Sequence, residues 1–304
     1  MTQLLDADAT ALRLPYPALV QALRELLQDD AVQVPPRIVQ PLPGGASLFV
    51  MPALDAQLAI TKLITFTPAN AASGRPTIQG DVLVFDIATG ERRLVLDGPT
   101  VTARRTAAVS LLAAQQLAQR PEGPLLIVGA GAQGLAHLEA FAQGLPLREV
   151  RIASRSPASA QALVEHASAL GLNASVVSDP DAAMADCPLI VTCTPASGIV
   201  LSAIPRPDAF IAAVGAFTPA MVELGPELCR HCMATGSVWL DTADARHEAG
   251  DLLQTGIAMD ALPTLAQLAR SEAVASSHGP VLFKSCGWAG WDLAAARAAL
   301  AQGV

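Results

Sequence analysis

Leu125-Leu126-Ile127-Val128-Gly129-Ala130-Gly131-Ala132-Gln133-Gly134 runs straight into Leu135 to Ala142. An apolar run, three glycines spaced Gly-x-Gly-x-x-Gly and a segment of helix-forming residues read as strand, turn and helix start. In a βαβ unit the first glycine permits the tight turn, the second lets the backbone approach a pyrophosphate, and the third lets helix and strand pack closely. The helix N-terminus then faces the phosphates. A glycine-rich turn with no ligand is the alternative, and the strand before it and helix after it weigh for a dinucleotide, bound at Gly129, Gly131 and Gly134.

The next strand is predicted over Glu149 to Ala153, and Ser154-Arg155-Ser156 follows it. An acidic residue there would hold a ribose 2′-hydroxyl; a guanidinium between two hydroxyls suits a 2′-phosphate instead. NADPH is therefore favoured over NADH, against the alternative of a solvated arginine at a strand end.

Composition sets the outer bounds. The chain has 304 residues, enough for two domains or one large one, a formal net charge of −8 and 15% charged residues. A mean hydropathy of +0.41, owed largely to alanine, points to much buried apolar surface. The negative charge gives no electrostatic reason to expect nucleic acid. The apolar segment from Ala209 to Leu224 is interrupted by Gly215, Thr218, Pro219 and Glu223, so no membrane span is expected. Asp6 and Asp8 interrupt any apolar signal core, making a cytoplasmic protein the default. Five cysteines, an odd number, do not form a disulfide framework, and Cys229-Arg230-His231-Cys232 reads as thiols on a short helix. No metal is assigned.

Around the glycine loop the texture changes twice. Leu19, Val20, Leu23, Leu26 and Leu27 line one face of a helix. Strands are predicted over Ser47 to Met51, Leu58 to Phe66, Ile78 to Phe85 and Arg93 to Leu96, with Ala88-Thr89-Gly90-Glu91 turning between the last two, as an antiparallel sheet or small barrel. A helix from Val101 to Ala118 leads to Arg120-Pro121-Glu122-Gly123-Pro124, where the domain boundary is drawn. Beyond it helices and strands alternate: a helix from Pro157, capped by Ser156 and ending at Gly171, and strands at Leu189 to Thr192, Phe210 to Val214 and Ser237 to Leu240. Such alternation means a parallel sheet. The segment from Phe283 to Leu300 is read as helical, returning to the first domain.

The first domain offers three candidate cations. Lys62 lies among Ile60, Leu63 and Ile64, where an ammonium is costly without a partner; it is either functional or a strand lysine whose tip reaches water. Arg105 could equally be a helix-end ion pair and Arg37 a surface-loop arginine.

Read together, Pro36-Arg37, Thr61-Lys62-Leu63, Pro76-Thr77-Ile78-Gln79-Gly80, Leu96-Asp97-Gly98, Thr102-Ala103-Arg104-Arg105-Thr106-Ala107-Ala108, the glycine loop, Glu248-Ala249-Gly250-Asp251 and Phe283-Lys284-Ser285-Cys286-Gly287 occur in an order that resembles the ornithine cyclodeaminase and mu-crystallin family. The resemblance spans nearly the whole chain. It implies an α/β protein: a Rossmann NADP-binding domain over 121–287, and an α+β substrate-binding and dimerisation domain over 1–120 with the C-terminal helix 288–304, assembled as a homodimer. It further implies that Arg37 and Arg105 clamp a substrate carboxylate and that Lys62 sits at the reacting carbon or nitrogen. Thr77, Ile78, Ala132, Gln133, Ser154, Arg155, Ser156, Thr194 and Val214 would line the cofactor, with Glu248 and Ser285 near the substrate.

Two departures divide the family's activities. Cyclodeaminases and related alanine dehydrogenases carry an aspartate after a Gly-Ala or Gly-Gly pair; here Val214-Gly215-Ala216-Phe217 puts a phenylalanine there. Phe217 cannot accept a proton. Cyclodeaminases also usually show an acidic residue where this chain has Ser154. Both departures favour an NADPH-consuming reductase of cyclic α-imino acids, with Phe217 packing on a ring-shaped substrate and Lys62 and Arg105 at the chemistry. A cyclodeaminase or amino-acid dehydrogenase with a relocated base, and a non-catalytic nucleotide-dependent binding protein, are the alternatives.

Overall fold

The computed structural model describes residues 2–195, 197–274 and 278–303. They form two compact units, Met1–Arg105 with Trp288–Val304, and Thr106–Gly287. The division falls inside the helix Gly98–Leu117 and not at the Pro/Gly cluster that follows it. The reason is packing, because the later half of that helix belongs with the second unit: Ser110 Oγ lies 3.0 Å from His137 Nε2, and Gln115 donates to the Gly144 carbonyl at 3.1 Å.

In the first unit six strands form one open sheet, in the order Gln3–Leu4, Arg92–Asp97, Ile78–Asp86, Leu58–Phe66, Ser47–Leu54 and Ile38–Pro41. The first pairing is parallel and the rest antiparallel. The sheet ends in edges and is not a barrel. Alternation along Leu58–Phe66 buries Leu58, Ile60, Lys62 and Ile64 on one face, as a two-residue period requires. Onto the sheet packs the helix Ala289–Ala301, which also meets the helix Tyr16–Gln28 through the latter's buried face of Leu19, Val20, Leu23, Leu26 and Leu27.

The second unit is a seven-stranded parallel sheet. From edge to edge it runs Ser237–Leu240, Val281–Lys284, Phe210–Ala213, Leu189–Thr192, Leu125–Val128, Glu149–Ala153 and Asn173–Val176. Strand order reverses between Leu125–Val128 and Leu189–Thr192, the place where open α/β sheets bind ligands beyond their carboxyl ends. A separate two-stranded sheet pairs Ser197–Leu201 with Val222–Leu224.

One reading is corrected. The segment from Phe283 is not helical throughout: Val281–Lys284 is a buried strand between two others, Gly287 turns the chain at φ 86°, and the helix starts only at Ala289. Cys229 and Cys232 are buried in the helix Pro226–Thr235, and the described residues hold no group of three metal-binding side chains. No described helix is long and apolar enough to cross a membrane.

Candidate active site

The three glycines of the loop are distinguished by what a side chain would meet. Gly129 has φ 116°, and a Cβ there would approach the Cys193 carbonyl oxygen to 2.8 Å. A Cβ on Gly134 would collide with the carbonyl oxygen of Gly129. Gly131 faces open space, with nothing within 4 Å of its would-be Cβ. Turn, close packing and room for a ligand are thus assigned one glycine each. Gly131 is also the N-cap of the helix Ala132–Gly144, and no side chain caps it, so the first amides of a four-turn helix are left for an anion. These residues fit a dinucleotide pyrophosphate.

Beyond the neighbouring strand Glu149–Ala153 the half-buried Ser154 accepts a hydrogen bond from the Ser156 amide at 3.2 Å. Ser156 caps the helix Pro157–Ala169 by accepting from the Ser159 amide. Arg155, exposed between them, carries the positive charge at this strand end.

Thr194 and Val214 follow the strands Leu189–Thr192 and Phe210–Ala213, and one carboxylate ties their loops together. Glu223, fully buried, accepts from the Thr194 amide at 2.7 Å and hydroxyl at 2.8 Å with Oε1, and from the Gly215 amide at 2.6 Å with Oε2. The Glu223 amide in turn donates to Asp251 at 2.5 Å, and Asp251 pairs with Lys284 at 2.8 Å. Sequence reading missed this chain of buried charges; its signal was an acid and a lysine set inside apolar runs, Val222-Glu223-Leu224 and Phe283-Lys284.

The first unit brings two of the three predicted cations, Lys62 and Arg105, onto a carboxylate that sequence reading also missed. Lys62 is 1% exposed, so its tip does not reach water. Its Nζ lies 2.8 Å from Asp292 Oδ2, while Arg105 Nε lies 3.2 Å from Asp292 Oδ1. Burial pushes the Lys62 ammonium down to about 8; Asp292 opposes the fall, and the Arg105 and Arg37 charges deepen it. Arg37, half-buried just before the strand Ile38–Pro41, is therefore close enough to be felt. Each cation comes from a different element: a loop, a central strand and a helix.

The other predicted residues divide between the two units. Thr77 and Ile78 lie in the first unit, where Ile78 pairs with Phe66 and Lys62 with Val82. Phe217, in the second unit, packs half-buried against its apolar cluster. Glu248 is half-buried after the turn Ala243–His247. The Ser285 hydroxyl donates to Asp241 at 2.7 Å, and the same Asp241 oxygen accepts from the Cys286 and Gly287 amides. Asp241 thus shapes the turn that follows the strand Val281–Lys284.

Comparison with known proteins gives a family and a set of relatives. The model of the ornithine cyclodeaminase/mu-crystallin family matches residues 8–301. Delta(1)-pyrroline-2-carboxylate reductase 2 of Burkholderia ambifaria is 38% identical over 298 residues, covering 97% of this chain and 94% of that protein. Ketimine reductase mu-crystallin of Mus musculus is 34% identical over 274 residues, covering 88% and 85%. Among solved structures, Thermococcus litoralis Delta(1)-pyrroline-2-carboxylate reductase in complex with NADH and L-proline has a TM-score of 0.86 at 22% identity, covering 99% of this chain and 94% of that one.

Proposed function

Because the chain belongs to the ornithine cyclodeaminase/mu-crystallin family, we propose that it uses NADPH to reduce cyclic α-imino acids, Δ1-pyrroline-2-carboxylate to L-proline and Δ1-piperideine-2-carboxylate to L-pipecolate. It is an oxidoreductase acting on C=N bonds, as its relatives named as reductases are. The observation that carries the reading is the buried pair Lys62 and Arg105 sharing the two oxygens of one carboxylate, Asp292, two cations on one acid, with half-buried Arg37 near enough to act on Lys62.

An anionic substrate is attracted to such a cluster, and Arg37 and Arg105 hold its carboxylate. Lys62, poised near neutral pH, delivers a proton to the imine nitrogen directly or through water, making the adjacent carbon electrophilic. Gly129 to Gly134, Thr194 and Val214 would hold the nicotinamide cofactor, which would supply the hydride for this carbon. The product keeps the proton on nitrogen and the new hydrogen on carbon, so no water or ammonia enters or leaves. Phe217 fits that balance, since no carboxylate stands there to activate either. Arg155, with Ser154 and Ser156, favours the 2′-phosphate of NADPH over the bare ribose of NADH. Exposed apolar side chains on the edge strand, Ile38 and Val39, support assembly as a homodimer.

The test follows NADPH oxidation with the five- and six-membered imines. Wild type is expected to turn over both; Lys62→Ala lowers kcat by about 10²- to 10⁴-fold, the range of a lost general acid. Arg155→Ala raises KM for NADPH by about tenfold or more while leaving NADH use unchanged. No turnover of either imine by wild type overturns the assignment, and equal use of NADH that is indifferent to Arg155→Ala overturns the cofactor preference.

A further inference from the structure

The 304 residues include two lysines, Lys62 and Lys284. Both are buried, and each has one carboxylate oxygen at 2.8 Å. Their surroundings drive them in opposite directions. For Lys284 burial lowers the pKa, but Asp251 and Glu223 outweigh it and the group ends above its ordinary value. For Lys62 burial wins, with Arg105 and Arg37 adding repulsion and Asp292 as the opposing carboxylate. The strand partners that flank Lys62, Met51 and Val82, are apolar and offer it no charge.

Asp292 is itself 0% exposed, on the helix Ala289–Ala301 whose other buried residues are alanines, a glycine, Leu293 and Trp291. A carboxylate carried into such a place is costly unless both oxygens are used. Both are, and on different partners: Oδ2 on Lys62, Oδ1 on Arg105. Without it two cations would face each other with no counter-charge between them. We propose that Asp292 is a positioning residue for imine reduction, bridging Lys62 and Arg105 so that proton donor and carboxylate clamp stand side by side. The proposal rests on the reduction proposed above. Asp292 itself touches neither substrate nor cofactor in this scheme; it acts through the two cations it holds.

The scarcity of lysine makes the test direct. Protein labelled with carbon-13 at lysine Cε gives two lysine signals, and Lys62→Arg identifies which is Lys284. Titrated without substrate, wild-type Lys62 is expected to change near pH 8, and Asp292→Asn to move that midpoint down by at least one pH unit with Lys284 unmoved. In parallel, the alkaline limb of kcat/KM for the imine falls by the same amount and KM for the imine rises, while NADPH affinity is unchanged. A Lys62 midpoint in folded Asp292→Asn within 0.3 unit of wild type overturns the proposal, as does an alkaline limb that does not move. Should Asp292→Asn not fold, Asp292→Glu decides. It keeps the charge but moves the oxygens, so kcat is expected to fall at least tenfold with NADPH affinity intact, and a wild-type rate overturns the bridge. If wild type reduces no imine, the parent reading fails on its own, while the Lys62 midpoint still reports whether Asp292 governs it.

Discussion

At the scale of single residues, the glycine loop separates binding from folding. Gly131 has room for a methyl group and an ordinary backbone conformation, whereas a methyl group on Gly134 would run into Gly129. Gly131→Ala is therefore expected to unfold within about 0.5 kcal/mol of wild type yet bind the pyridine nucleotide about tenfold or more weakly, because the methyl group takes up space that a pyrophosphate lying on the loop would need. Gly134→Ala is expected to lose about 3 kcal/mol or more of stability before any binding is measured. Urea unfolding together with cofactor titration separates the two, and equal stability loss in both variants contradicts the division of roles. The glycine loop stood out by its fixed spacing and Lys62 as a charge among apolar neighbours, while Arg37 and Arg105 carry no such local mark and were singled out only by the family resemblance. Asp292 was not, since its partner Arg105 lies 187 positions away and only tertiary packing brings the two together.

At the scale of elements, legibility followed periodicity. Leu58–Phe66 alternates and was read to the residue, as were Glu149–Ala153, Leu189–Thr192 and Ser237–Leu240 from their apolar runs and flanking turns. Val281–Lys284 is only four residues, all buried, so neither a two-residue nor a helical period can show, and the helix after it is buried on every side. The short strand Val222–Leu224 was missed for the same reason, although it carries the most connected acid of the second unit. Glu223→Ala would leave the amides of Thr194, Gly215 and Ala216 without their acceptor. At about 1–3 kcal/mol for each unsatisfied buried group, partly recovered by water, the expected loss is about 3–5 kcal/mol in urea unfolding. Binding of the pyridine nucleotide is expected to weaken about tenfold as the two loops loosen, and a variant with wild-type stability would show that Glu223 does not brace them.

At the scale of the molecule, the basic charge is arginine except for two buried amines. Acylation of the native protein by an N-hydroxysuccinimide ester is therefore expected to leave Lys62 and Lys284 unmodified under conditions that modify both in urea, as read from peptide masses. Rapid native labelling of either lysine contradicts its burial. The change from a β-rich half to an alternating half was legible in the sequence, whereas the two compact units divide inside a helix that continues unbroken and gives no compositional sign of it. That organisation also orders events in time. The first unit needs Trp288–Val304, so a ribosome delivers its sheet early and the covering helix only after the whole second unit has emerged. At about 5–20 residues per second the gap is roughly ten to forty seconds. During it the glycine loop can already be formed while Lys62 waits without its counter-charge, on a sheet face still open to chaperones. The ion pair of Lys62 with Asp292 is the last contact of this sheet face to be made.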